Sequence, residues 1–365
     1  MRRVLYLIKG LGRGGAEQSI LNGARYHDTS RFSYELAYLM PDMDDLAPEF
    51  EQLGVRLHCL GGAPRSWMPA LRSLVREREI DLVHAHSPLA AAGARIGLRG
   101  LARIVYSEQN VWDAYHPATR WANMLTFPLN DHVLAVSDHV RRSMRFPRVL
   151  PLRMPPVSVV YHGLDWRAVE QWSMSNGART KLGLPADAPV VGTVANFRPE
   201  KGQKHLIEAA AIVRRSVPDV RFVLIGRGPL EDDLRRQIAE LGLQDTVLLP
   251  DYRGPAVSVL SAFDVFVLPS IYEGLSIAAL EAMAIGRPMV VSAIGPLQEL
   301  MGDPPAGMIV PTSQPQAIAD ALVEVITDPA LSRTLGDAAR RRAKAFDVRD
   351  VVSRAEAIYE ELLTR

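Results

Sequence analysis

The chain has 365 residues, 48% hydrophobic and 23% charged, with 42 Lys+Arg facing 41 Asp+Glu. That length suits two cores rather than one, and the composition is globular rather than disordered. A net charge of +1, with no aromatic–basic repeat, excludes a nucleic-acid-binding surface, so no nucleic acid is expected among the partners.

Cys59 is the only cysteine. It excludes an internal disulfide and a cysteine-based zinc site, fits a reducing cytoplasm, and reads as a small core residue of a strand. The apolar runs are short, as in Val265-Phe266-Val267-Leu268, far from the roughly 20 residues that span a bilayer.

Met1-Arg2-Arg3 ahead of residues 4–8 has the charge order of a secretory leader, but Lys9, Arg13 and Glu17 follow at once. The run therefore reads as the first core strand. Gly10-Leu11-Gly12-Arg13-Gly14-Gly15-Ala16-Glu17 comes next. Glycines there let the backbone approach a phosphate, and a helix N-terminus favours the negative charge; a plain strand-to-helix turn uses the same residues. The spacing is not the G-x-G-x-x-G of a dinucleotide site.

Further strands are expected at 34–39, 55–59, 82–84, 104–107, 132–136 and 157–161, with helical stretches at 16–26, 68–78 and 89–98. Near-continuous apolar strands alternating with helices imply a parallel sheet covered on both faces. His84 and His86 end the fourth strand, and alternate residues share one face. They suit acceptor contact, strand-end packing, or a metal pair that lacks a third ligand at matching spacing. Residues 65–153 carry 13 Lys/Arg against 7 Asp/Glu, a balance that suits an anionic lipid surface or a phosphate-bearing acceptor. Within them Arg141-Arg142-Ser143-Met144-Arg145-Phe146 runs on through Arg148 and Arg153 to Met154. That mixture suits either a solvated helix and loop or a membrane surface, at roughly 1 kcal/mol per basic residue.

Asn176-Gly177, Gly183, Pro185 and Pro189 break the rhythm over 166–189, which places the domain junction there. Domains are expected at 1–170 and 180–345, with a final helix, 347–365, packing back on the first. Strand candidates restart at 190–194, 222–225, 247–249, 265–268, 289–292 and 308–310, with helices at 204–215 and 230–241. The expected class is α/β: two Rossmann-like, doubly wound parallel sheets facing a cleft at their carboxyl ends.

In Asn196-Phe197-Arg198-Pro199-Glu200-Lys201-Gly202, Arg198 and Lys201 can clamp a diphosphate, Arg as a fork and Lys as a point charge; a solvated loop carries such charges equally well. The run from Ser270 to Met283 is more specific. A loop carries Glu273, and a helix starting near Ser276 carries Glu281. Eight helical residues rise about 12 Å, so the two carboxylates can hold hydroxyls at the two ends of a nucleotide sugar. The helix N-terminus between them offers N–H groups to the diphosphate. Two unrelated acids are the plainer alternative.

Glu273-x7-Glu281 with its flanks resembles the donor-binding motif of the retaining GT-B glycosyltransferases, above all the large bacterial family four. The resemblance runs over nearly the whole chain. Gly14-Gly15-Ala16-Glu17 is similar to the family's N-terminal loop, and Glu200-Lys201-Gly202 to its phosphate-binding stretch. Ile225-Gly226-Arg227-Gly228-Pro229-Leu230 is similar to its nucleotide-side turn, and Tyr161-His162-Gly163-Leu164-Asp165 to the end of its first domain. The resemblance implies a GT-B fold with Gly14, Gly15, Arg198 and Lys201 at the diphosphate, Glu281 at the ribose and Glu273 at the transferred sugar. Asn196, Gly226, Gly274, Leu275 and Ser276 complete the donor site. It also implies retention at the anomeric carbon, with no metal and no cofactor beyond the nucleotide-sugar co-substrate.

Three positions depart from the family. Gln109 stands where many relatives carry a His near the reacting sugar, Asn196 where many carry an Arg, and His162 where Asn is usual. Gln109 therefore joins Glu273, Arg198 and Lys201 in the expected catalytic set, and His84, His86, Glu108 and Asn110 are expected to face the acceptor. The expected reaction moves a sugar from a UDP- or GDP-sugar to a glycan, lipid-linked or small-molecule acceptor, in polysaccharide or glycolipid biosynthesis. Its place is the cytoplasm, with peripheral contact at the inner face of the membrane. A nucleotide-sugar 2-epimerase and a non-catalytic sugar-nucleotide-binding protein share the architecture.

Overall fold

In the first half of the chain, seven strands build one parallel sheet in the order β3-β2-β1-β4-β5-β6-β7. They are β1 (Arg2–Ile8), β2 (Phe32–Tyr38), β3 (Arg56–Cys59), β4 (Leu82–Ala85), β5 (Arg103–Glu108), β6 (His132–Ala135) and β7 (Val157–Val159). A second parallel sheet follows in the order β10-β9-β8-β11-β12-β13. Its strands are β8 (Val190–Val194), β9 (Arg221–Ile225), β10 (Val247–Leu248), β11 (Val265–Leu268), β12 (Met289–Ser292) and β13 (Met308–Val310). The computed structural model describes residues 1–61, 64–146, 154–173, 177–252, 254–255 and 257–364. Every strand expected from the sequence is present, with ends shifted by at most two residues. Arg148 and Asn176 lie outside the described residues.

The strands are Val-, Leu- and Ile-rich because they are buried on both faces. Val4 and Leu5 point to opposite sides of β1, and neither is exposed, so helices must cover both. The chain divides into two units, Met1–Gly163 with Val348–Arg365, and Leu164–Asp347. The final helix, Val348–Thr364, belongs to the first unit, where Tyr359 and Leu362 join Val4, Phe32, Leu82 and Val105 in one apolar cluster. Helices Trp166–Ser173 and Ala178–Lys181 open the second unit. The second core gathers Val191, Phe222, Leu224, Val265 and Val290 beneath helices Gln203–Ser216 and Pro315–Thr327.

One reading changes here. Cys59 is exposed rather than buried, because β3 is an edge strand. Among the described residues no helix is long and apolar enough to cross a membrane.

The strand order reverses between β1 and β4 in the first sheet and between β8 and β11 in the second. Loops leaving the carboxyl ends diverge at such a switch point and leave a crevice, where ligands of open α/β sheets bind.

Candidate active site

In the second unit the loops after β8 and β11 meet. Gln203 is buried, and its amide donates to the carbonyls of Asn196 (2.9 Å) and Ala195 (3.4 Å), which ties the loop after β8 to the helix behind it. Gly202 closes that loop at φ +68°. A Cβ there would stand 2.2 Å from the carbonyl oxygen of Pro269, the residue after β11. Any side chain would push the two loops apart. Their contact delivers Lys201 to Glu273: Nζ donates to Oε1 at 2.6 Å, and Ser270 Oγ donates to the same oxygen at 3.0 Å. Glu273 is 6% exposed, and a carboxylate so buried needs this ammonium. Gly226, where β9 ends, is pressed on the same loop; a Cβ would stand 2.0 Å from the Ala195 oxygen.

Ser276 caps helix Ile277–Ala284, its Oγ accepting from the Ala279 N–H at 3.3 Å. The remaining first-turn N–H groups have no acceptor within the helix and form a binding place for an anion. Gly274 and Leu275 are buried just ahead of it. Glu281 lies within the helix, 8% exposed. Burial first, then the charge of Asp165, push its carboxyl up to about 8. The site thus combines a paired carboxylate, a protonatable one and an ammonium with donors to spare. Arg198 and Asn196 are exposed on the adjoining loop. The sequence reading did not single out Gln203, and it quoted Ser270 without a role.

In the first unit, the crevice after β1, β4 and β5 opens into a cavity of ≈580 Å³, its mouth included, lined by His27, His84, His86, His162, Gln109 and Glu356 among others. Burial discharges the imidazoles. It is the main cause that pushes His86 down to about 3 and the sole cause for His162 at about 4. His84 and His27 are lowered as well, burial first, although Glu356 pulls His27 the other way. His84 is spent on the core, with Nδ1 2.5 Å from the Tyr359 hydroxyl and Nε2 2.8 Å from Ser107 Oγ. It has no ring nitrogen left for an acceptor or a metal, which corrects its expected role. His86 differs. Gln109 Nε2 lies 3.3 Å from its Nδ1, while His86 Nε2 and Gln109 Oε1 are buried without partners. With the amide assigned as donor to Nδ1, the ring proton sits on Nε2. The pair then offers one unused donor and one unused acceptor, both uncharged.

Glu108 also departs from its expected role. It is fully buried and accepts hydrogen bonds from Trp112 Nε1 (2.7 Å), Tyr106 Oη (2.9 Å), Asn123 Nδ2 (3.0 Å) and the Tyr115 hydroxyl. Arg95, 1% exposed, reaches the same Asn123 through Oδ1 at 2.8 Å and Asn130 Oδ1 at 2.8 Å. This network pins helices Pro88–Gly97 and Pro117–Thr126 to β5 and leaves the carboxylate no face toward an acceptor. Asn110 Oδ1 accepts from the next N–H, that of Val111, at 2.8 Å and shapes the turn. His162 Nδ1 lies 2.8 Å from Ser19 Oγ. Gly14 is the N-cap of helix Gly15–Ala24 with no side chain to close it, and burial pushes Glu17 in that first turn up to about 7. Among the described residues no three His, Cys, Asp or Glu side chains gather as ligands for one metal ion.

The model of Glycosyltransferase Family 4 matches residues 2–167, and that of Glycosyl transferases group 1 matches residues 175–342. The chain belongs to the GT-B glycosyltransferases. It is an enzyme that moves a sugar from a nucleotide-sugar donor to an acceptor. This glycosyltransferase is 28% identical over 320 residues to the alpha-D-kanosaminyltransferase of Streptomyces kanamyceticus, which covers 81% of each chain. It is 26% identical over 352 residues to the lipopolysaccharide core biosynthesis mannosyltransferase LpsB of Rhizobium meliloti, covering 91% of this chain and 96% of that one. Its fold matches that of Anabaena Alr3699/HepE, solved in complex with UDP-glucose, at a TM-score of 0.85 and 22% identity over 99% of this chain and 100% of that one. The group 1 match contains Lys201, Glu273 and Glu281; the Family 4 match contains Gly14, Gly15, His86 and Gln109.

Proposed function

We propose that this glycosyltransferase takes a hexose from a UDP- or GDP-sugar and places it, with retention and without a metal ion, on a hydroxyl of a glycan, lipid-linked or small-molecule acceptor. The observation that carries this reading is the Lys201–Glu273 contact at the second switch point, with Glu281 eight residues on. Lys201 and Arg198 neutralise the leaving diphosphate together with the N-terminus of helix Ile277–Ala284. Glu273 orients the sugar hydroxyls and Glu281 accepts from the ribose; within the first unit, the head of helix Gly15–Ala24 at Gly14 and Gly15 presents N–H groups suited to a phosphate. His86 and Gln109 hold the acceptor hydroxyl, one donating to it and the other accepting from it. Relatives named for kanosaminyl and mannosyl transfer, and a fold neighbour that binds UDP-glucose, support a hexose on a nucleoside diphosphate.

The enzyme works in the cytoplasm, attached peripherally to the inner face of the membrane. Supporting this is an apolar face on helix Pro117–Thr126: Trp121 is 57% and Leu125 63% exposed, with Leu129 and, on helix Pro88–Gly97, Ile96 also exposed. Residues 88–146 hold seven arginines against four acids, and Arg99 and Arg145 are exposed, a balance that attracts anionic lipid. The stretch 147–153, weighed from the sequence for the same task, lies outside the described residues.

The test is a turnover screen across UDP-, GDP- and ADP-sugars in chelator, with Glu281→Ala as control. Transfer or slow hydrolysis, lost in the control, supports the reading. Epimerised product without acceptor turns it into a 2-epimerase, binding without turnover into a carrier, and a strict divalent-ion requirement removes the metal-free step. Sedimentation with phosphatidylglycerol vesicles, lost in Trp121→Ser/Leu125→Ser, tests the membrane face.

A further inference from the structure

The second unit holds another cavity, ≈540 Å³ with its mouth, at the opposite end of its sheet from Lys201 and Glu273. Arg287 and Ser261 lie at the amino ends of β12 and β11, whereas the proposed donor residues leave the carboxyl ends. The lining combines Arg287, Arg340 and Ser261 with Trp166, Val169 and Ile285. Arg287 Nε and Ser261 Oγ are both buried and have no hydrogen-bond partner. A native structure rarely leaves a buried guanidinium N–H and a buried hydroxyl unmatched at one place.

Arg287 is not occupied with the helix end beside it. Helix Ile277–Ala284 closes in a Schellman motif, with the Gly286 N–H on the Met283 oxygen and the Arg287 N–H on the Ala282 oxygen, both at 3.0 Å. The local carboxylate is engaged elsewhere: Asp264 Oδ2 accepts from Arg179 at 2.7 Å and from the Val190 N–H at 2.8 Å. Asp264 acts on Arg287 only through its charge, while Arg179 opposes it. Two guanidiniums, Arg179 and Arg287, therefore share the charge of one carboxylate, and Arg179 holds its hydrogen bond. Burial, the larger cause, lowers the hold of Arg287 on its proton, a cost that a bound anion would offset. The stem of Arg340 lies over Gly286, where an added Cβ would be 3.8 Å from its Cδ, and the residue is exposed where it lines the cavity.

We propose that this cavity is an anion site, separate from the donor site, in which Arg287, Arg340 and Ser261 bind a phosphate or phosphate monoester. The guanidiniums supply forked donors to the phosphoryl oxygens, Ser261 donates a third hydrogen bond, and Trp166, Val169 and Ile285 line the side that a monoester's carbon part would meet.

Calorimetric titration of the full chain with inorganic phosphate, in a chloride buffer, tests the site. A binding event that persists in Lys201→Ala, which disables the diphosphate position, is expected, and it is weakened at least tenfold by Arg340→Ala and by Arg287→Gln. Ser261→Ala should weaken phosphate about threefold without lowering the melting temperature, because it also removes an unmatched hydroxyl. No binding, or binding lost in Lys201→Ala and kept in Arg340→Ala, overturns the proposal. Should Arg287→Gln fail to fold, the exposed Arg340→Ala still decides. Two arms identify the source. Glucose 6-phosphate that competes with phosphate indicates a free metabolite; phosphatidic acid vesicles that bind with the same arginine dependence, beside inert phosphatidylcholine vesicles, indicate a lipid headgroup.

Discussion

The crevice of the first unit and that of the second arise from the same strand order, reversing between β1 and β4 in one and between β8 and β11 in the other. Their side chains differ in kind. In the second, Glu273 keeps its charge at 6% exposure because Lys201 is bound to it, whereas the unpaired Glu281 holds its proton up to about 8. Around the first, His86 and His162 have no carboxylate partner and are buried as neutral rings. A shared topology supplies a crevice, and whether buried groups have a counter-ion decides whether it presents charge. Under the proposed function, the diphosphate meets Lys201 in the second crevice and the acceptor hydroxyl meets the uncharged His86–Gln109 pair in the first.

The largest break in this comparison is expected from Glu273→Ala. Turnover should fall about 10³-fold with circular dichroism unchanged, and near-normal turnover would remove the second crevice from the chemistry. Next comes Glu108→Ala. It strands four donors in a network buried beneath the first unit's surface, so a loss of about 3–5 kcal/mol in denaturant unfolding is expected. Donor binding by the folded fraction should be unaffected; weaker donor binding at full folding would restore an active role to that carboxylate.

Gln109→Ala is subtler. The acceptor KM should rise about tenfold, worth about 1.4 kcal/mol, with the donor Kd unchanged. A change in donor Kd alone would move Gln109 to the donor side.

The smallest effects are opposed pH slopes. In the unfolded chain the histidines protonate near pH 6.5, whereas in the native state His162 and His86 stay neutral down to about 4 and 3. Their contribution is whole above pH 6.5 and is lost as the pH falls through that window. Glu281 acts in reverse. The native state keeps its proton from the ordinary 4.5 up to about 8, so it binds more protons than the unfolded chain there, and stability falls as the pH rises. Ribose hydroxyls prefer the carboxylate, so donor binding at pH 7 should release a proton, read by calorimetry in buffers of differing ionisation enthalpy. Glu281→Gln should abolish the release, and an unchanged release would place the proton elsewhere.

The elements of the second crevice were legible in the chain because they are local. The rise between Glu273 and Glu281, the cap at Ser276 and the strand before them are all properties of one short stretch. The first crevice was only partly legible. His84 and His86 are equivalent by alternation along β4, and the face they share gives no hint that one is consumed and the other left open. The hydroxyl that consumes His84 belongs to Tyr359, 275 residues on, and no local pattern announces it. Glu108 beside Gln109 looked equally available, until Tyr106 on its own strand and Trp112, Tyr115 and Asn123 further along enclosed it.

By itself the sequence determined the α/β class, each strand of the described residues, and the residue types at the second crevice, because hydrophobic period, glycine tolerance and helical rise act over a few residues. Only tertiary structure decided that Gly202 brings Lys201 to Glu273 by letting two loops touch at Pro269. It alone decided that His86 and Gln109 remain unmatched where His84 does not, and that Arg287 and Ser261 face one cavity. Hydrogen bonding and charge are satisfied by whatever lies within about 3 Å, and which residues lie that close is set by packing between distant segments.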